Sequence, residues 1–244
     1  MATMDIAYLF KADIENDSEE LRYSLRSLKN IPHGKVFIIG EKPDWVTNVE
    51  YIPVSQSKTK GENVMMNLFA AVRSAQISDD FIIMNDDFFI MKKIQNMPNL
   101  NFGDMKDLIM RYMTRYPEGS GYIDNMKKLY EVLVERGYKQ PISYELHVPM
   151  VINKQKVKEL RQCVDGSLYQ FRTFYGNYFH IGGETASDVK VFIDSQHNDP
   201  SYNNDPEGYL SRQSLLSATG GSFKKGIAGD FIRRAFPEKS TYEI

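Results

Sequence analysis

The sequence predicts an α/β fold with a mixed, mainly parallel sheet flanked by helices, and three observations carry that expectation. Short apolar runs in the first half alternate with stretches of helical period, the pattern of β-α-β units laid into a parallel sheet. At 244 residues, with 42% hydrophobic and 25% charged, the chain is long enough to bury a sizeable core. No stretch rich in Gly, Ser or Pro separates the two halves, so a single domain is expected over residues 1–244.

Asp5 to Phe10 (DIAYLF) reads as a buried strand. Asp17 and Ser18 are candidate N-caps for a helix over Glu19 to Lys29, where Leu21, Leu25 and Leu28 share one stripe. Lys35 to Gly40 (KVFIIG) is a second strand, ended by glycine and followed by Pro43. Val49 to Val54 (VEYIPV) is a third, and Pro53, which cannot donate to a ladder, places it at an edge or ends it early. A helix over Asn63 to Ala75 precedes the most apolar strand, Asp80 to Asn85 (DFIIMN), which runs into Asp86 and Asp87 and resumes as Phe88 to Met91. The second half is less regular. Helices are expected over Gly103 to Tyr116 and Tyr122 to Arg136, a helical insertion at about residues 103–137. Glu145 to Ile152 reads as extended, Lys154 to Cys163 as helical and Val189 to Ile193 as a short strand. Asp194 to Gly208 is a loop by its Asn, Asp, Pro and Gly, and Ile227 to Ala235 is a closing helix.

Composition excludes several classes. Thirty Lys and Arg against 32 Asp and Glu leave a formal charge of -2 and a pI near 6.1, so nucleic acid is not expected as a partner, nor is an anionic membrane. No apolar run approaches the ~20 residues of a membrane span, the first residues lack the pattern of a signal peptide, and the one cysteine, Cys163, cannot form an internal disulfide. A soluble, cytoplasmic protein without a transmembrane segment is the expectation. The aromatic content is unusual, with 15 Tyr and 14 Phe beside one Trp.

The sharpest chemical feature is Asp86-Asp87 at the end of a buried strand. Adjacent carboxylates there serve no core packing, and ligands of open α/β sheets bind at the carboxyl ends of strands. Hard oxygen ligands suit Mg²⁺ or Mn²⁺, which usually binds through one or two carboxylates plus substrate phosphates. A metal at that point would neutralise the leaving diphosphate of a nucleotide-sugar donor. The competing reading is a turn in which Asp caps its own backbone. Lys58 and Lys60 precede a glycine and a helix N-terminus and could hold an anion, although their spacing matches no phosphate loop.

Several blocks then share an order with a known family. DIAYLFKAD at residues 5–13, EELRYSLRSL at 19–28, KVFIIG at 35–40 with PDW at 43–45, FIIMNDDFF at 81–89, YELHVP at 144–149 and FPEKSTYE at 236–243 resemble the Stealth family. Its members are capsular-polysaccharide and N-acetylglucosamine-1-phosphate transferases on a glycosyltransferase-A-like, Rossmann-like core. The resemblance implies a nucleotide-sugar-binding half over residues 1–95 and an acceptor-side half over 96–244. It also implies Asp86 and Asp87 at the metal and donor diphosphate, Asp13 near the nucleotide, and Arg22 and Arg26 as further donor contacts on the first helix. Arginine suits phosphate because its planar fork binds bidentately; on residue pattern alone, the two arginines equally fit a solvated helix face.

His147 lies between apolar residues, where a lone histidine is commonly a satisfied core residue. The resemblance implies a histidine in this block that acts in transfer, and histidine titrates near neutral pH without perturbation, as a general base must. Glu145, two residues away, would share its side of an extended segment and orient the imidazole or act as the base itself. Arg172 stands among Tyr169, Phe171, Phe174, Tyr175, Tyr178 and Phe179, rings that suit sugar faces or simple packing. The resemblance implies that Arg172 contacts a donor phosphate. One departure concerns an acidic residue that the family carries on the helix before its Asn-Asp-Asp strand: it aligns with Met66 here, with Glu62 close by.

The preferred expectation is a metal-dependent glycosyltransferase using a nucleoside-diphosphate sugar and a hydroxyl-bearing, glycan-like acceptor. Transfer of a sugar-1-phosphate is the alternative, and an inactive carbohydrate-binding relative the third.

Overall fold

The computed structural model describes residues 3–162, 170–192 and 200–244. The chain begins β1 (Asp5–Phe10), α1 (Glu19–Ser27), β2 (Val36–Gly40), β3 (Glu50–Pro53), α2 (Lys60–Arg73), β4 (Asp80–Met84) and β5 (Phe88–Ile90). It continues with β6 (Leu100–Asn101), α3 (Met105–Arg115), α4 (Gly121–Glu135), β7 (Met150–Asn153), α5 (Lys154–Gln162), α6 (Phe171–Tyr178) and β8 (Glu184–Thr185). It closes with β9 (Lys190–Val191), α7 (Pro200–Asn204), α8 (Pro206–Arg212), β10 (Leu215–Ala218), α9 (Gly220–Lys225) and α10 (Ile227–Ala235). These residues form two compact units, one of Met1–Met97, His147–Gln155 and Val189–Ile244, the other of Pro98–Leu146 and Lys156–Asp188. Residues 147–155 and 189–244, grouped by the sequence with the second half, therefore belong to the first unit.

The first unit holds a five-stranded sheet in the order β3-β2-β1-β4-β7. All pairs are parallel except β4 with β7. β1 and β2 are buried along their whole length, as expected for strands covered on both faces. β3 ends the sheet, where Pro53 removes no hydrogen bond that a neighbour needs. The chain steps outward from β1 to β3 and then crosses back to β4 on the other side of β1. Right-handed crossovers in opposite directions put α1 and α2 on opposite faces and open a crevice at the carboxyl ends of β1 and β4. At the opposite end, buried Asp5 accepts Lys35 N–H and Ser78 N–H, each at 2.8 Å, and so ties the starts of β1, β2 and β4 together.

A second sheet, β5-β10-β9, follows the Asp86-Asp87 turn. β5 pairs with β10 on one side only. Its other edge is bonded by one face of the first helix: Ser24 Oγ donates to Phe88 O at 2.6 Å, Ile90 N–H donates to Ser27 Oγ at 3.0 Å, and Asn30 Nδ2 donates to Ile90 O at 2.7 Å. The residues recur every three positions, so buried polar groups on α1 and on the 3-10 turn that follows it (Leu28–Asn30) complete a strand edge rather than interrupt a core. Phe89 stacks on Phe223 at 5.7 Å within a core that includes Leu210, Leu216, Ile232 and Phe236.

Three sequence expectations change. The segment from Glu145 is not a strand throughout: the chain bends at His147 and Val148, and β7 begins at Met150. Within the loop expected up to Gly208, α7 and α8 form. Asp205 accepts Gly208 N–H at 3.0 Å and Pro206 opens the helix, so Asp and Pro, which count toward a loop by composition, here are an N-cap with proline at the first helical position. β10 was not expected, since Leu215–Ala218 is a short run between polar residues and glycine. Cys163, Tyr169, Asp194 and His197 lie outside the described residues.

In the second unit, α3 is capped by Asp104, which accepts Lys106 and Asp107 N–H, and α4 by Ser120. α6 packs Gly176 against the Tyr144 ring, where an added Cβ would stand 2.3 Å from a ring carbon. Phe171, Phe174 and Tyr175 are buried, so these rings are core. Among the described residues no helix is long and apolar enough to cross a membrane.

Candidate active site

At the carboxyl edge where the strand order reverses, the first unit brings together several titratable groups. Asp13 follows β1, and Asp86 and Asp87 follow β4. Lys60 opens α2, and Glu20 lies in the first turn of α1, because helices of parallel crossovers start where strands end. β7 is antiparallel to β4, with Ile83 opposite Met150, so its amino end, three residues after His147, is at the same edge of the sheet. Topology thus brings Asp13, Lys60, Asp86, Asp87 and His147 to one sheet edge.

Side chains from the later part of the chain join them. Lys190 Nζ on β9 pairs with Asp87 Oδ2 at 2.9 Å, with both side chains largely buried at 13% and 16% exposure. Ser217 on β10 donates to the same oxygen at 3.3 Å. Lys224 on α9 lies 3.6 Å from Asp13, which also accepts Asn16 Nδ2 at 2.6 Å. Burial and then the charge of Asp87 push the Asp86 carboxyl up to about 7, against the opposing pull of Lys60 and Lys190. Burial, then Asp86 and Asp87, push Glu20 up to about 8, opposed by Lys190 and Lys224. Glu20 Oε1 is buried and has no hydrogen-bond partner in the protein. The charges of Asp86 and Asp87 thus act on Glu20 while Lys190 and Lys224 oppose them, and such mutual perturbation is characteristic of sites that bind a cation or transfer a proton.

Among the described residues no group of three or more His, Cys, Asp or Glu side chains is placed to hold a metal ion. The donor set that is present, two adjacent carboxylates beside a serine hydroxyl, fits the mode in which a divalent cation takes one or two carboxylates and completes its shell from substrate phosphates and water.

The remaining predicted residues have other partners. Arg26 forks onto Glu243, with Nε–Oε1 and Nη2–Oε2 both at 2.8 Å, and also donates to Phe236 O and Pro237 O. Arg22 reaches Asp17 at 2.7 Å and Glu243 at 3.3 Å and lies over the Trp45 ring. Both arginines hold the chain's last residues against α1. Although burial alone would raise it, Glu243 is held at about 2 by Arg26 and by Ser240 N–H and hydroxyl. A carboxyl lowered from its ordinary 4.5 stabilises the fold above that pH and loses the contribution as pH falls through about 2. Glu243→Gln is expected to cost about 3 kcal/mol at pH 7, with the gap in Tm from the native protein closing between pH 4.5 and 2; a gap independent of pH would refute this clamp.

In the second unit, Glu145 Oε1 accepts Thr173 N–H at 2.9 Å, near the start of α6, whose N-cap Gln170 makes no side-chain bond of its own. A carboxylate there meets the positive end of the helix. Arg172 Nη1 donates to Leu146 O at 2.9 Å. Both tie α6 to the 144–146 segment. Glu62 forms a capping box with Thr59 at the start of α2 and so has a local role. Glu20, Lys190, Ser217 and Lys224 are the site residues that the sequence reading missed.

No protein-family model matches the chain, and no curated protein does. Among solved structures the chain is similar to the galactosyltransferase LgtC in complex with donor and acceptor sugar analogs, at 12% identity over 98% of this chain and 97% of that one, with a TM-score of 0.49. An active-site mutant of LgtC is similar at 12% identity over 98% of each chain, with a TM-score of 0.47. Likeness this remote leaves the activity to be read from the site.

Proposed function

We propose that this chain is a metal-dependent glycosyltransferase of the glycosyltransferase-A kind, which moves a sugar from a nucleoside-diphosphate sugar to a hydroxyl of a glycan-like acceptor. The observation that supports this reading best is the Asp86-Asp87 pair at the carboxyl edge where the strand order reverses, faced by Lys190 and Ser217. In this reading Asp86 and Asp87 hold Mg²⁺ or Mn²⁺. Such a cation, when bound, supplies positive charge to the leaving diphosphate. Lys60 and Lys224, exposed at the same edge, attract the anionic donor, and Asp13 lies near its nucleotide. His147 accepts the proton of the acceptor hydroxyl as that oxygen attacks the anomeric carbon. The bonds made by Arg22, Arg26, Glu145 and Arg172 serve the protein's own packing, and no step is assigned to them.

The resemblance to Stealth proteins supports a second reading, transfer of the sugar-1-phosphate. The two reactions break different bonds: glycosyl transfer cleaves the bond from the anomeric carbon to oxygen and releases a nucleoside diphosphate, whereas phosphotransfer cleaves the diphosphate and releases a monophosphate. Incubation with Mn²⁺, candidate sugar nucleotides and simple glycan acceptors, followed by chromatography of the nucleotide product, separates them. The diphosphate is expected. Monophosphate would replace the first reading with the second, and neither product together with metal-independent glycan binding would favour an inactive carbohydrate-binding protein.

A further inference from the structure

We propose that Glu20 reads a hydroxyl group of the sugar held at this site, which makes it a residue of donor recognition. The inference rests on the donor reading given above and deepens it. Its starting point is the register of the first helix on β5. Ser24 bonds Phe88 and Ser27 bonds Ile90, so the helix runs along the strand as the strand advances. One turn before Ser24 stands Glu20, and just before Phe88 stand Asp86 and Asp87; the same register carries Glu20 to the acidic turn. The other end of the carboxyl is located independently. A Cβ built on Gly220, the first residue of α9, would lie 4.0 Å from Glu20 Oε1. The carboxyl group therefore stands between the Asp86-Asp87 turn and the start of α9, within the charge field of Lys190 and Lys224.

Its Oε1 is buried and accepts no hydrogen bond from the protein. Leaving such an atom unmet is unfavourable, a cost commonly retained where a ligand supplies the missing bond. The surroundings select the ligand's chemistry. A deprotonated phosphate brings no proton to donate to Oε1, and a cationic ligand meets Lys190 and Lys224. Glu20 is also not part of any three-acid group placed to hold a metal among the described residues. What remains is a neutral O–H donor. In a nucleotide sugar the neutral hydroxyl groups that flank the diphosphate are those of the sugar and of the ribose; the sugar's are the ones assigned to Glu20, and the bare nucleotide carries only the ribose's. A site built to bond a particular hydroxyl rejects analogues that lack it far more strongly than an apolar pocket does.

The test is titration calorimetry of the native protein, Glu20→Ala and Glu20→Gln with UDP-, GDP-, CDP- and dTDP-sugars in excess MnCl₂, each beside its bare nucleoside diphosphate. The native protein is expected to bind at least one sugar nucleotide more tightly than its nucleotide. Glu20→Ala should lose roughly tenfold in affinity for that sugar nucleotide while binding the bare nucleotide within about twofold of native. Glu20→Gln, nearly isosteric and still an acceptor, should lose less, and it provides the comparison should the alanine protein fail to fold. Unchanged affinities overturn the inference, as does an equal loss for sugar nucleotide and nucleotide, which would mean that Glu20 bonds the ribose or acts only through Asp86 and Asp87. Both of those outcomes leave the donor reading standing. A native protein that binds no sugar nucleotide overturns the two together.

Discussion

Asp87→Ala is expected to lower kcat/KM for glycosyl transfer by about a thousandfold and to abolish the rise in Tm that Mn²⁺ with sugar nucleotide produces in the native protein. The size follows from what converges on one atom: Asp87 Oδ2 takes Lys190 Nζ at 2.9 Å and the Ser217 hydroxyl at 3.3 Å. Removing the carboxylate leaves Lys190, only 13% exposed, without this partner, which should also cost about 3 kcal/mol of stability. Asp87→Asn separates the two effects, because the amide oxygen still accepts from Ser217 and Lys190 while the charge is gone. It should keep most of the fold and still lose the metal-dependent shift. Asp86 adds a pH signature. Its carboxyl titrates at about 7, raised from 3.8, so between those values the native state holds a proton that the unfolded chain has released, and stability falls as pH rises across that window. A cation must displace the same proton, so Mn²⁺ should bind more tightly as pH rises toward 7 and level off above it. Equal stabilisation of native and Asp87 variants by Mn²⁺ would remove the metal from this site.

The parts of this site legible in the sequence are those with local signatures. DFIIMN is too apolar to be anything but a buried element, and the two aspartates that end it break the pattern in a way packing does not explain. Pro53, through its missing donor alone, marked β3 as an edge strand or one that ends early, and β3 is the edge. Glu20 carried no such mark: in the first turn of a helix an acidic residue is favoured by the helix dipole, and EELRYSLRSL displays that pattern whether or not the carboxylate faces a site. Lys190, Ser217 and Lys224 reach Asp87 and Asp13 from more than a hundred residues away along short elements with weak periodicity, so only the folded sheet order reveals them. Arg22 and Arg26 misled for a related reason. Their fork geometry suits phosphate and carboxylate equally, and the carboxylate that claims them, Glu243, is 217 residues from Arg26. Glu145 was read against His147 because an extended segment would align them, whereas the chain bends at 147 and 148 and Glu145 caps α6.

His147→Ala is expected to lower kcat by about a thousandfold while leaving the affinity for sugar nucleotide within about twofold, since removal of a general base affects the chemical step more than donor binding. The expectation rests on placement. In the antiparallel pair, Ile83 faces Met150, and the strand β4 gains residues toward Asp86 as β7 loses them toward His147. The bend at His147 and Val148 lies before the ladder, which begins at Met150. His147 therefore stands at the edge where the donor diphosphate is proposed to lie, three residues before the strand next to β4. A base for the acceptor belongs beside the donor site and apart from its metal contacts. Added imidazole should restore part of the kcat of His147→Ala without changing KM for the donor, a response that a packing defect would not give. If kcat survives the substitution, or falls only in proportion to lost donor affinity, the base must be sought elsewhere along this edge, and the assignment of His147 fails.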